Sequence, residues 1–100
     1  MKNSIKRKVI LGFIYIHILY HAKETPIYGS WMINELQEHG YHMSPGTLYP
    51  IFHAMEEEGL LKSEHRTING KHRKYYAITA HGKSFLSETK DKLNELINEV

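Results

Sequence analysis

SPGTLYPIFHAMEEEGLL, residues 44–61, reads as one capped helix followed by the start of something else. Ser44 carries a side-chain oxygen able to accept from the free amides of a first helical turn, and Pro45 suits the first helical position. Leu48, Ile51 and Met55 follow at three- and four-residue steps, which lays one apolar stripe along a helix of about fourteen residues. Gly59 supplies a left-handed stop, with Leu60 placed to fold back on the last turn. The other side shows Thr47, Tyr49 and His53, three hydrogen-bonding groups without a formal charge. An apolar back, a polar front and a good cap are the features of a helix that lies in a nucleic-acid groove.

The chain has 100 residues, enough for one domain with a small core. It has no cysteine, which rules out disulfides and thiolate metal sites and fits a reducing compartment. The formal charge of +2 is modest, but its distribution is uneven. Lys2, Lys6, Arg7 and Lys8 crowd the beginning; Lys62, Arg66, Lys71, Arg73 and Lys74 crowd residues 62–74; Glu56, Glu57 and Glu58 lie between. Two basic zones around an acidic knot imply an anionic partner met at chosen places.

Val9 to Tyr20, VILGFIYIHILY, follows a basic start as a signal peptide would. His17 interrupts the run, no small-residue cleavage site follows, and twelve residues are too few to cross a bilayer. The expectation is a cytoplasmic protein with a helix over 5–23 and no membrane contact. Val9, Phe13, Ile16 and Tyr20 form one stripe of that helix, and Ile10, Ile14 and Ile18 another. One small domain cannot cover both, so the surplus predicts a second chain.

Thr25-Pro26 repeats the oxygen-then-proline pattern, so a second helix should begin between Pro26 and Ser30, with Trp31 or Met32, Ile33 and Leu36 inward and Gly40 at its end. Only Tyr41, His42 and Met43 then precede Ser44, which forces a helix-turn-helix. Pro50 inside the second of these helices should cost a backbone hydrogen bond and bend the axis. Beyond Gly59 the periodicity becomes alternating, and Asn69-Gly70 between Leu61–Thr67 and His72–Ile78 is a two-residue hairpin signal. The register then pairs Leu61 with Ile78, Ser63 with Tyr76 and His65 with Lys74 on one face. Lys62–Ala77, Glu64–Tyr75 and Arg66–Arg73 fall on the other. Two arginines directly opposed repel, and a phosphate between them would reverse that sign.

Tyr28-Gly29, Ser44-Pro45-Gly46-Thr47-Leu48-Tyr49-Pro50, Met55-Glu56-Glu57-Glu58-Gly59-Leu60-Leu61, Arg73-Lys74-Tyr75-Tyr76 and Thr79-x-x-Gly82 together resemble the PadR family of bacterial transcriptional regulators. The resemblance covers nearly the whole chain. It implies a mainly α winged helix-turn-helix protein with a small β-hairpin, dimeric through its first and last helices. It further implies a repressor on a pseudo-palindromic operator, often near its own gene, released by a small-molecule effector. The length is like that of the short subfamily with a single carboxy-terminal helix. Two positions depart from the family pattern. Ser30-Trp31 stands where an aromatic and then an acidic or polar residue is usual, and Leu93 occupies the place of a drug-stacking tryptophan.

The end of the chain supports a dimer independently. Leu86, Leu93 and Val100 recur every seven residues, with Phe85, Leu96 and Ile97 beside them. A helix of about 33 Å is too long for this core to cover. The expected organisation is therefore a DNA-binding domain over 1–78 and a dimerisation helix over 79–100. Ile10, Ile14, Ile18, Leu86, Leu93, Leu96, Ile97 and Val100 would face the partner. Thr47, Tyr49 and His53 would face the major groove of double-stranded DNA, Ser44 and its neighbouring amides would hold a phosphate, and Arg66, Lys71, Arg73 and Lys74 would grip the flanking backbone. No arginine, glutamine or asparagine sits on the reading face, so preference should rest on apolar contacts, DNA shape and half-site spacing.

A rival reading is a ligand or metal sensor with secondary DNA binding. Eight histidines motivate it, and His17 and His21 lie one helical turn apart with Glu24 near. An enzyme is not expected: no nucleophile is paired with a base at motif spacing, no phosphate-cradling glycine loop occurs, and no cofactor is implied.

Overall fold

The computed structural model describes residues 4–100, so Lys2 of the first basic group lies outside the described residues. Ser4 opens the first helix, α1 (Ile5–Glu24), its Oγ accepting from the Arg7 amide at 3.0 Å. α2 (Gly29–Glu38), α3 (Pro45–Glu57), the antiparallel strands β1 (Leu61–Ile68) and β2 (Lys71–Ile78), and α4 (Ala80–Glu99) follow. Four helices and one hairpin make the predominantly helical winged helix-turn-helix fold expected above.

α2 and α3 stop in the same way. Gly40 and Gly59 adopt φ of 88° and 79°, and the next residues, Tyr41 and Leu60, each donate at 2.9 Å to the carbonyls of Leu36 and Met55. This left-handed closure leaves three residues outside any helix or strand between Gly40 and Ser44, which is what turns α3 across α2. Met32 and Leu36 of α2 and Leu48, Ile51, Phe52 and Met55 of α3 meet in the core. Trp31 points outward instead, at 36% exposure, so Met32 is the inward residue of that pair. Phe52, absent from the expected stripe, is fully buried. Pro50 does not break α3. It falls in the second turn, and the Gly46 carbonyl that loses its donor belongs to an exposed residue that water can reach.

α2 starts at Gly29, inside the expected 26–30 window, but neither oxygen-proline pair caps a helix through its side chain. Thr25 ends α1 rather than starting α2. The reason is Ile27, whose amide donates to Tyr76 O at 2.9 Å and whose carbonyl accepts from Tyr76 N at 2.7 Å. That bridge adds a one-residue third strand to the hairpin and holds the segment extended until Tyr28. Ser44 precedes α3 but makes no side-chain cap bond; its carbonyl accepts from the Thr47 and Leu48 amides.

The hairpin has the expected register throughout, from Leu61↔Ile78 to Arg66↔Arg73. Asn69 and Gly70 turn it with φ of 54° and 78°, matching the right-handed twist of the strands. Both faces are occupied at the base. Tyr76 stacks on Phe52 with centroids 4.4 Å apart, while Tyr75 is buried on the other face against the edge of Tyr28.

The two stripes of α1 exchange roles. Ile14 and Ile18 are buried at 3% and 0% in the chain's own core, and Ile10 packs against it, so these three are not free for a partner. Val9, Phe13 and Tyr20 form the uncovered stripe. α1 is apolar almost all round, and the side that met β2 and α4 was not marked in its sequence. Leu86 of α4 is likewise buried at home, and Leu93 is half-buried in a groove with Phe13 and Tyr20. Phe85, Leu96, Ile97 and Val100 remain exposed.

Thr79 joins hairpin to α4. Its Oγ1 donates to the Gly59 carbonyl and accepts from the Gly82 amide at 2.9 Å. A methyl group at Gly82 would fall on the Leu60 carbonyl and crowd Ile78. Helix propensity favours alanine over glycine by about 1 kcal/mol, but backbone overlap outweighs that. Gly82→Ala is expected to lower stability by about 1–3 kcal/mol in urea denaturation; an unchanged or raised midpoint would contradict this packing.

Candidate nucleic-acid interface

α3 presents Pro45, Gly46, Thr47, Tyr49, Pro50 and His53 to solvent on the side away from the core. Among them Thr47 Oγ1 lies 3.4 Å from Ser44 Oγ, and His53 Nε2 lies 3.5 Å from Glu57 Oε2, both in the open. Exposed contacts of this kind are weak enough to be exchanged for a ligand. Tyr49 is more constrained. Its ring packs edge-on to Phe52 at 6.1 Å, and its hydroxyl occupies the space that a side chain at Gly29 would need. The Tyr28-Gly29 and Tyr49 motifs therefore describe one contact, the point at which α3 lies against the start of α2. Tyr49 is half-exposed, with one edge committed to that contact.

The wing carries Lys71 and Lys74 exposed, and both arginines against aromatic faces. Arg73 Cζ stands 4.2 Å from the Tyr28 ring centroid, and Arg66 Cζ 5.3 Å from that of Tyr75. Arg66 Nε also donates to Glu64 Oε2 at 2.8 Å. The opposed arginines are thus relieved by ring quadrupoles and one carboxylate, with no need of a phosphate between them. Lys74 Nζ lies 5.5 Å from the Tyr76 ring.

Folding brings a cation from the amino-terminal basic group to this surface. Arg7 shares a groove with Tyr41, Ser44 and Thr47, at the amino-terminal end of α3. The distance along the chain hid this, because only the crossing of α1 over the turn brings them together. The acidic knot is placed elsewhere: Glu56 accepts from Ser63 Oγ at 2.6 Å, at the far end of α3. Positive charge at one end of α3 and negative at the other give this surface a direction.

His17 and His21 are brought together, but with His39 and Glu35 rather than Glu24. Burial first, then the neighbouring imidazoles of His39 and His21, hold His17 below its ordinary pKa against the opposite pull of Glu35.

A profile of the Transcriptional regulator PadR-like family matches residues 18–88. The chain belongs to that family. Transcriptional regulator Rv3488 of Mycobacterium tuberculosis is 45% identical over 87 residues, spanning 87% of this chain and 81% of that protein. A PadR-like transcriptional regulator (BC4206) from Bacillus cereus superposes with a TM-score of 0.84 at 29% identity, covering 92% of this chain and 91% of its own. A PadR-like transcription factor from Bacteroides fragilis gives 0.76 at 32% identity, covering 95% and 96%. The protein is thus a DNA-binding transcriptional regulator and not an enzyme. Among the described residues no helix is long and apolar enough to cross a membrane.

The Gly29–Tyr49 contact can be isolated as a coupling energy. Gly29→Ala should destabilise the PadR-family fold by about 1 kcal/mol or more in the wild-type background. In a Tyr49→Ala background it should cost little, giving a double-mutant coupling of about 0.5–3 kcal/mol by chemical denaturation; strict additivity would separate the two positions.

Proposed function

We propose that the protein is a homodimeric repressor, acting in the cytoplasm, that holds a pseudo-palindromic operator with two copies of α3 and two wings. The observation that carries the dimer is the uncovered apolar surface: Val9, Phe13 and Tyr20 on α1 with Phe85, Leu96, Ile97 and Val100 on α4. So many large apolar side chains on two adjacent helices of a small chain call for a partner, and a second copy whose α4 lies along this α1 covers both stripes by one symmetric exchange. Ile10, Ile14, Ile18 and Leu86 stay in each protomer's own core, with Leu93 at the edge of the contact. The division into a DNA-binding region over 1–78 and a dimerising helix over 79–100 follows from this arrangement.

In this reading Thr47, the free edge of Tyr49 and His53 lie along base edges, and Pro50 adds an apolar contact suited to a thymine methyl. The α3 amides beside Ser44, with Arg7 across the groove, hold one phosphate. Lys71 and Lys74 meet the next stretch of backbone, while Arg73 and Arg66 stiffen the wing and lend charge. Glu57 and Glu58 repel the duplex from the other end of α3 and so fix its direction. The effector is expected to be an apolar compound. A groove of about 380 Å³ lies between α1, α3 and α4, lined by Tyr15, Ile16, Leu19, Met55 and Phe85. That size suits a small molecule, and filling it would shift α4 against the reading helix.

Sedimentation of the wild type is expected to give twice the chain mass, and Leu96→Glu with Ile97→Glu the single mass. The same pair of changes should weaken binding to a footprinted site upstream of its own gene by at least about tenfold, because two linked contacts become one. Lys71→Ala should weaken all duplexes alike and reduce the salt slope by about 1. A loss confined to one base position would mean that Lys71 reads sequence instead.

A further inference from the structure

Two pairs of side chains, each one helical turn apart, meet where α1 passes α2. α1 contributes His17 and His21, and α2 contributes Glu35 and His39. One ring nitrogen from each of the three histidines lies within 4.8 Å of the others. Glu35 Oε2 stands 3.3 Å from His21 Nε2 and 3.4 Å from His39 Nε2. The His17 and His39 rings are 4.5 Å apart, and Tyr41 closes one side edge-on to His17 at 5.6 Å. Trp31 closes the other, edge-on to His21 at 5.3 Å.

We propose that His17, His21, His39 and Glu35 bind one divalent late first-row transition ion, with zinc as the reference case. Three imidazoles and one carboxylate are the borderline donor set that such ions take, while calcium and magnesium want an all-oxygen shell. In a tetrahedral zinc site the donor atoms stand about 3.3 Å apart. The nitrogens here need to close by about 1.5 Å at most, and His39, 46% exposed, is free to make that movement. Without an ion the cluster is poorly balanced. One carboxylate faces three imidazoles whose ring nitrogens crowd within 4.8 Å of one another.

The position gives the ion leverage. α1 carries the uncovered apolar stripe, and His39 stands next to Gly40, the residue that turns the chain toward α3. An ion held by both helices pins the helix-turn-helix to α1. His17 and Tyr41 also line the groove that contains Leu86 and Leu93. Binding is a property of the folded chain and does not depend on the proposed operator or on repression.

The test is a titration of the chelator-treated, full-length protein with Zn²⁺ by calorimetry and with Co²⁺ by visible absorption. Trp31 is the only tryptophan, so its fluorescence reports the site directly. The expected result is one ion per chain, four-coordinate cobalt bands and a change in tryptophan emission at the same stoichiometry. His39→Ala, on an exposed position that leaves the core intact, and Glu35→Gln should each weaken binding by at least about tenfold. His72→Ala on the wing should leave binding unchanged. Absence of binding at micromolar ion, or binding undiminished in both His39→Ala and His17→Ala, would overturn the proposal. Normal zinc binding by a protein that ignores every duplex would count against the operator reading and leave the metal site standing.

Discussion

Everything that positions the polar face of α3 and the wing passes through Tyr76. Its backbone is bonded in both directions to Ile27, before α2, and its ring lies on Phe52 in the middle of α3. One residue therefore sets the wing, the approach to the helix-turn-helix and α3 at fixed angles. Phe52 and Met32 have no exposure at all, and Ile27 and Tyr76 almost none. Replacing a fully buried phenylalanine with alanine typically costs about 3–5 kcal/mol, a large share of the stability of a domain this size. The polar face of α3 can be open and lightly bonded because its back is held so firmly.

The same frame explains why two glycines recur in the motifs that mark the PadR family here. Gly29 leaves room for the Tyr49 hydroxyl, and Gly82 lets α4 come down on the Leu60 carbonyl. Neither is a turn residue. Each marks a place where one helix end approaches another element more closely than any side chain allows, so helix propensity is given up for packing. The wing shows a related exchange. Charge opposition between Arg66 and Arg73 is tolerated because Tyr75 and Tyr28 offer ring faces to the two guanidinium groups. The cations remain available at the surface while their stems are ordered.

Local sequence made some of this legible and hid the rest for physical reasons. The hairpin register could be written in full because a period of two and an Asn-Gly turn leave no freedom. The ends of α2 and α3 were equally readable from Gly40 and Gly59. The sidedness of α1 was not, since apolar residues occupy nearly every position from Val9 to Tyr20 and any phase fits. Ile27 carries no period because a one-residue strand has none. The histidine cluster was half visible. His17 and His21 showed their spacing on α1, and Glu35 with His39 repeats it on α2; only tertiary packing says that the two pairs face each other. Arg7 beside Ser44 left no local trace.

The bridge between Ile27 and Tyr76 also bears on how the chain reaches its native state and how far it can be trimmed. Nearly half the polypeptide lies between these partners, so their pairing closes a long loop whose entropy is lost before any contact rewards it. The wing is consequently no detachable arm. A chain cut before β2 would leave the Ile27 amide and carbonyl unpaired, strip the aromatic cover from Phe52, and release the first helical pair along with the missing strand. Cooperativity of this kind ties the helix-turn-helix and the hairpin into one folding unit.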